Sequence, residues 1–300
     1  VTKAFSGTYA ALLTGFADNG ELDRGRQDNI VDHVLKQALT GLYVGGSSGE
    51  SGLMSTDELL AQQGMVADRA KGRDTVLIAH VGQPSLADSM QLARQAKALG
   101  YRGLSALPPH SYPFSDEEIL DYYTGLASAT DLPLIVYEIP SRTGRALPFE
   151  LLSALLQLPN VIGMKYTSAD MFKLCLLRRH HPDKTFFYGF DEVMGAAVFL
   201  GADGGIGTTY NVLGNLYTAL DAAVRAGDVE KGRELQGISQ DYVEKIIATG
   251  VMPGVKFTLQ CLGVDCGPCR KPMKLRNEQA QQDLKAFVTN DVPFRHWLAL

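Results

Sequence analysis

The strongest constraint in this chain is its rhythm: short β-rich apolar runs alternate with longer amphipathic stretches, eight times over. Candidate strands occupy residues 7–13, 41–45, 75–80, 103–107, 132–137, 161–167, 185–189 and 204–208. Between them, apolar residues recur at helical spacing over 24–38, 56–69, 85–99, 116–128, 148–156, 171–180 and 192–200. Strands that alternate with helices pair in parallel through right-handed crossovers. Eight such units favour an α/β fold closed into a (β/α)8 TIM barrel. An open doubly wound sheet is the alternative. It usually carries a glycine-rich dinucleotide turn after its first strand, and Leu13-Thr14-Gly15-Phe16 is no such turn. The eighth unit ends near Arg225, and the rest of the chain reads as helices over 229–250, 254–262 and 277–289. The expected organisation is a barrel domain over residues 1–225 and a C-terminal helical extension over 226–300, which could cover the barrel's side or build a subunit contact.

Composition narrows the classes of function. The formal net charge is −5 and no Lys/Arg run exceeds two residues, so no basic field would draw in nucleic acid. No apolar run approaches the ~18 residues that span a bilayer. Val1-Thr2-Lys3-Ala4 lacks the basic start and apolar core of a secretory signal. Four cysteines in 300 residues make no disulfide framework. A cytoplasmic protein without nucleic-acid or membrane partners is expected. Cys266-Gly267-Pro268-Cys269 has redox or metal spacing, but no second cysteine pair or nearby histidine completes a zinc set. The six histidines show no spacing such as His-Glu-x-x-His, so no metal is expected either.

In barrels of this kind the active site is built at the C-terminal ends of the strands. The sixth candidate strand reads Val161-Ile162-Gly163-Met164-Lys165-Tyr166-Thr167, and alternation puts Gly163, Lys165 and Thr167 on one side. If that side faces the barrel, Lys165 is an amine in an apolar wall, where desolvation favours the uncharged, nucleophilic form that a Schiff base requires. A lysine snorkelling to solvent from a strand end is the other reading. The fifth strand ends in Tyr137, a candidate proton carrier or a core tyrosine, and Arg142 comes on the next loop, a carboxylate grip or a solvated charge. The second runs into Gly45-Gly46-Ser47-Ser48-Gly49-Glu50, where small residues let backbone N–H groups approach an anion and two hydroxyls add donors; a flexible turn is the plainer alternative. The seventh ends Tyr188-Gly189-Phe190-Asp191-Glu192, a pair of acids that could hold sugar hydroxyls or could simply cap the next helix. Glycines in Gly201-Ala202-Asp203-Gly204-Gly205-Ile206-Gly207-Thr208 signal close backbone packing or a phosphate site.

These residues, in this order, resemble the pyruvate-dependent class I aldolase family that includes N-acetylneuraminate lyase and dihydrodipicolinate synthase. The resemblance runs from Tyr9-Ala10-Ala11-Leu12-Leu13-Thr14 to Cys269-Arg270-Lys271-Pro272. It implies that Lys165 forms the Schiff base with pyruvate, that Tyr137 relays protons and that Ser47 and Ser48 hold the pyruvate carboxylate. The lyase branch is matched by Gly41–Ser47, Ile78-Ala79-His80-Val81-Gly82, Gly189-Phe190-Asp191-Glu192 and Gly201–Asn211. It implies that Thr167, Gly189, Asp191, Glu192 and Thr208 contact the sugar chain of a sugar acid. The family further implies catalysis without a cofactor and a homotetramer.

Some residues depart from the family pattern. Ser48 replaces a threonine and Thr208 a serine, both keeping the hydroxyl. Ser111 falls where the family usually places a proton-relay tyrosine, often lent by a neighbouring subunit; Tyr112 would substitute if the loop shifted. Glu138 replaces the usual asparagine. Ser141-Arg142-Thr143-Gly144 resembles the synthase branch, where the arginine binds the aldehyde partner's carboxylate. The function expected is cleavage of N-acetylneuraminate to pyruvate and N-acetylmannosamine. A 2-oxo-3-deoxy sugar acid aldolase or dehydratase, a dihydrodipicolinate synthase and a non-catalytic 2-oxo acid binder are the alternatives.

Overall fold

The structure is a computed structural model that describes residues 5–299; residues 1–4, with their lack of a secretory start, lie outside the described residues. The alternation closes on itself. The eight strands are β1 (Gly7–Ala11), β2 (Gly41–Val44), β3 (Val76–His80), β4 (Gly103–Ala106), β5 (Leu134–Glu138), β6 (Val161–Tyr166), β7 (Thr185–Tyr188) and β8 (Gly204–Gly207). Each pairs in parallel with the next, and β8 returns to β1 from Gly7↔Gly204 to Ala10↔Gly207. This is the (β/α)8 barrel the sequence leads one to expect, and the open sheet is excluded. The strands stop one or two residues short of several expected ends because those residues already turn into the loops at the barrel mouth.

The helices around the barrel are α1 (Arg24–Leu35), α2 (Thr56–Ala70), α3 (Leu86–Ala98), α4 (Asp116–Ala127), a single turn α5 (Pro140–Thr143), α6 (Phe149–Gln157), α7 (Met171–His180), α8 (Met194–Phe199) and α9 (Tyr210–Arg225). Their starts are set by local chemistry. Ser55 and Ser115 each accept a bond from the backbone three residues on, while Glu58 and Glu118 reach back to the cap, so α2 and α4 open with complete capping boxes. The chain then continues as α10 (Val229–Thr249), α11 (Val251–Cys261), α12 (Glu278–Asn290) and α13 (Val292–His296). Among the described residues, no helix is long and apolar enough to cross a membrane.

Alternation along the strands splits the apolar residues into two cores. Outward-facing Leu42, Val44, Leu104, Val136, Met164 and Tyr188 pack under the helices. Inward-facing Tyr9, Ala11, Tyr43, Ile78, Ile135, Phe187 and Ile206 fill the barrel, with Phe5 plugging it from below. Tyr9 and Phe187 meet edge to face with ring centroids 5.3 Å apart. The barrel interior is therefore a packed apolar floor, and anything set above it at the strand ends stands at the edge of a low-dielectric wall.

Candidate active site

Lys165 stands on that floor. Along β6, Met164 and Tyr166 join the outer core, so Gly163 and Lys165 turn inward, and Lys165 is 4% exposed. Its amine lies 4.1 Å from the ring centroid of Tyr137, its register partner on β5, and 4.5 Å from that of Tyr43. Among the described residues, the lysines in ion pairs are Lys97, Lys173, Lys184, Lys231 and Lys256, not Lys165. The amine is thus held by aromatic faces in a half-dry cup, and the snorkelling alternative is excluded.

The two rings are themselves braced. Tyr43 donates from its hydroxyl to Ser105 Oγ at 3.0 Å. His80 lies edge-on to Tyr137, with centroids 6.0 Å apart. Its Nε2 accepts from the Leu107 N–H at 3.4 Å, which leaves Nδ1 protonated and donating to the Gly45 carbonyl at 3.0 Å. Burial first, then the charges of Arg142 and Lys165, pushes its pKa down to about 3. His80 is therefore a neutral strut that pins the end of β2, where the glycine-serine segment begins.

That segment is ordered. Ser47–Gly49 and Ser51–Leu53 form two successive 3-10 turns, and Thr14 Oγ1, held by Gln62, donates to the Gly49 carbonyl at 2.5 Å. The N–H groups that open such a turn have no partner within it and can receive an anion. Ser48 Oγ lies 2.6 Å from Thr208 Oγ1, which ties this turn to the loop after β8.

On the far side, Asp191 is buried, and its Oδ2 accepts from the Thr209 N–H at 2.8 Å and from Thr209 Oγ1 at 2.6 Å. Burial pushes its pKa up to about 6, against these two bonds. Asp191 is thus no helix cap. The glycines of β8 are packing residues: a Cβ at Gly207 would overlap Asp191 Oδ1, and one at Gly205 would overlap the Tyr210 hydroxyl. Likewise a Cβ at Gly189 would overlap Thr167 Oγ1 and press on Lys165 Cε. These close approaches explain the glycines without a phosphate site.

A cavity of about 410 Å³ is lined by Ser47, Ser48, Tyr137, Arg142, Lys165, Thr167, Gly189, Asp191, Glu192 and Thr208. The ten residues expected to carry the chemistry or hold the substrate therefore line one space. Three of them expose a need for a polar occupant: Ser47 Oγ, Thr167 Oγ1 and Asp191 Oδ1 are buried atoms without a hydrogen-bond partner among the described residues. Buried polar atoms usually find a partner in protein, water or ligand, and in these three the candidate partner lies on the cavity side of the wall or within it.

Other expectations fare differently. Ser111 and the exposed Tyr112 line a separate cavity with Thr143, Gly144 and Arg145, so within one protomer neither reaches the space around Lys165. Glu138 points away from the site; its Oε1 accepts from the Leu147 N–H at 3.0 Å. The thiols of Cys266 and Cys269 are free, and burial pushes them up to about 11 and about 12, far from thiolate chemistry. Tyr43 and His80 went unrecognised because inward aromatic residues read as core. Beyond covering the barrel's side or building a subunit contact, the two roles its sequence allows, the helical tail lends Val243, Ile246, Ile247, Val251 and Met252 to the cavity wall.

The profile of the dihydrodipicolinate synthetase family matches residues 4–291. The chain is 43% identical over 292 residues to N-acetylneuraminate lyase of Rhizobium meliloti strain 1021, which covers 97% of this chain and 96% of that one. It superposes on CdNal from Clostridium difficile, solved in complex with mannosamine, with a TM-score of 0.92 at 33% identity, over 99% of this chain and 100% of that one. N-acetylneuraminate lyase from Fusobacterium nucleatum complexed with pyruvate gives a TM-score of 0.90 at 33% identity, over 97% and 99% of the two chains.

Proposed function

The chain belongs to the dihydrodipicolinate synthetase family, and on that premise we propose that it cleaves N-acetylneuraminate to pyruvate and N-acetylmannosamine through a Schiff base on Lys165. The observation that carries this reading is the placement of the Lys165 amine over the rings of Tyr43 and Tyr137, in a cavity whose other walls present partnerless hydroxyl and carboxylate oxygens. A nucleophilic amine on an apolar floor suits a ketone carbon, and the polar rim suits a polyol.

The steps are set by the positions. Lys165 Nζ adds to the 2-oxo carbon, and loss of water gives a cationic imine. The carboxylate beside that carbon rests on the Ser47-Ser48 turn, where N–H and hydroxyl donors meet it. Tyr137, whose ring faces the amine, gives its proton to the hydroxide lost in forming the imine and, now a phenolate, takes the proton of the C4 hydroxyl as general base. The C3–C4 bond then breaks, its electron pair flows into the imine as an enamine, and the aldehyde leaves. Protonation at C3 and hydrolysis return the free lysine and pyruvate. Thr167, Gly189, Asp191, Glu192 and Thr208 hold the departing chain. This sequence needs neither metal nor organic cofactor. Borohydride added with pyruvate is expected to fix a covalent adduct on Lys165, and Lys165→Ala to abolish both adduct and turnover. A Lys165→Ala protein with ordinary turnover refutes the assignment.

A second reading has its own support. Arg142 lines the same cavity beside the turn of Ser51–Leu53, where a Cβ on Gly52 would lie 2.7 Å from its Nη2. A guanidinium there suits an aldehyde partner that carries its own carboxylate, as in dihydrodipicolinate synthase, or a shorter 2-oxo-3-deoxy sugar acid. Pyruvate release from N-acetylneuraminate, set against condensation of pyruvate with aspartate semialdehyde, separates the two. We also place the protein in the cytoplasm as a homotetramer. Tyr112, Phe172 and Phe199, each more than 70% exposed, support burial between protomers; sedimentation equilibrium tests the assembly.

A further inference from the structure

Glu50 closes the turn that begins at Ser47, yet it does not line the cavity around Lys165. Its backbone is left-handed, with φ 63° and ψ 26°, a conformation that a glutamate holds only when its surroundings impose it. The side chain is fully buried. Oε1 forms an ion pair with Lys256 Nζ at 2.9 Å, and Oε2 accepts from the Arg270 N–H at 2.7 Å. Lys256, on α11, is buried as well. Its amine donates to the Pro268 carbonyl at 2.7 Å and sits 4.9 Å from the ring centroid of Phe16. The Arg270 guanidinium completes the clasp: it grips Glu58 with two bonds and donates to the Leu53 carbonyl at 2.6 Å, at the end of the second 3-10 turn. The glycine-serine turn is thus fastened at its last residue and three residues further on, in both cases by groups that come after the eighth barrel unit.

We propose that the buried Glu50–Lys256 ion pair is a positioning device that sets the Ser47-Ser48 turn for the carboxylate of a 2-oxo acid, so that Lys256 tunes affinity for pyruvate without touching it. This inference rests on the Schiff-base chemistry proposed for Lys165. Neither partner meets substrate. Glu50 leaves the strained turn at a fixed angle only while its charge is matched, because one member of a buried pair left alone is strongly unfavourable. A turn displaced by even an ångström would offer its donors to the wrong place.

The test measures the pyruvate concentration that half-saturates borohydride trapping on Lys165, together with kcat, KM and thermal midpoint. Four full-length proteins are compared: the unaltered chain, Lys256→Met, Glu50→Gln and the double variant. Both single variants are expected to raise half-saturating pyruvate by roughly tenfold or more while the adduct at saturation and kcat stay within about twofold. The double variant carries no unmatched buried charge. It is expected to recover thermal midpoint but to keep the raised half-saturation. Recovery of both together would mean that the pair only holds the fold, and it overturns the proposal, as do single variants with ordinary half-saturation. If a single variant fails to fold, the double variant decides by the same criterion. Absence of any adduct in the unaltered protein is a separate outcome: it overturns the Schiff-base reading and this inference with it.

Discussion

Lys165 and Asp191 both sit in the cavity as buried ionisable groups, but their surroundings set them to different tasks. The amine faces two aromatic rings. The carboxyl faces hydroxyl and amide donors from Thr209 and leaves Oδ1 without a partner. Its pKa, pushed up to about 6, gives substrate binding an acid limb: above that pH the charged oxygen accepts from sugar hydroxyls, and below it the group is protonated and that capacity weakens. Asp191→Asn is expected to raise KM for the sugar acid by about 10-fold or more, the worth of one hydrogen bond to a charged group, and to remove the acid limb from kcat/KM. Pyruvate trapping on Lys165 should hold at its usual half-saturation, since Asp191 lies on the far wall. Equal loss of both would place Asp191 in the imine chemistry instead. At this scale the sequence was informative for Lys165, because strand parity and the position of barrel sites point the same way. It was silent on Tyr43 and His80, whose roles depend on a neighbour strand's register and not on their own pattern.

Between residue and fold, the elements share the work unevenly. The strands were legible because parallel barrel strands are continuous apolar runs, and Ser55 and Ser115 announced their helices through capping boxes. The single turn at Pro140–Thr143 and the two 3-10 turns after β2 were not, because such short pieces obey tertiary contacts and have no period of their own. The long helix α10 was legible as a helix, but not in what it holds. Its amphipathic pattern predicts a helix but says nothing of where its polar residues land. Gln236 Nε2 donates to the Asp191 carbonyl at 3.1 Å while its Oε1 accepts from the Gly195 N–H at 2.8 Å, and Gln240 donates to the Glu192 carbonyl at 2.9 Å. Two glutamines one helical turn apart therefore hold the segment that carries both acids. Gln236→Ala leaves the Gly195 N–H without its partner and the Asp191 carbonyl with only Ser239 Oγ at 3.4 Å, and is expected to cost about 1–3 kcal/mol in unfolding free energy. It should also raise KM for the sugar acid more than half-saturating pyruvate. If chemical denaturation and both constants are unchanged, the strap has no role in holding Asp191.

For the whole molecule, four buried groups with large shifts pull the pH response of stability in opposite directions. His33, pushed down to about 4 by burial and the charge of Lys36, and His80, pushed down to about 3, stay neutral in the folded chain. The unfolded chain protonates both near 6.5, so each costs stability as pH falls from there toward its folded value. Asp191, near 6, and Glu138, near 7, behave inversely. Burial dominates for Glu138, offset in part by the Leu147 N–H and the charges of Lys173 and Arg145. The folded chain keeps protons on these acids that the unfolded chain releases near 3.8 and 4.5, so their contribution is lost as pH rises toward the folded values. Between about pH 5 and pH 7 the two pairs oppose each other, and a flat thermal midpoint is expected there. Glu138→Gln removes one arm of that balance while keeping an oxygen for the Leu147 N–H. Its unfolding free energy relative to the unaltered protein should climb by about 1–3 kcal/mol from pH 4.5 to pH 7.5 and level off above. Denaturant unfolding at a series of pH values reads this directly. Parallel curves for the two proteins would mean that the Glu138 carboxyl ionises as it does in water, and that the outer core beneath α6 is wetter than its packing implies.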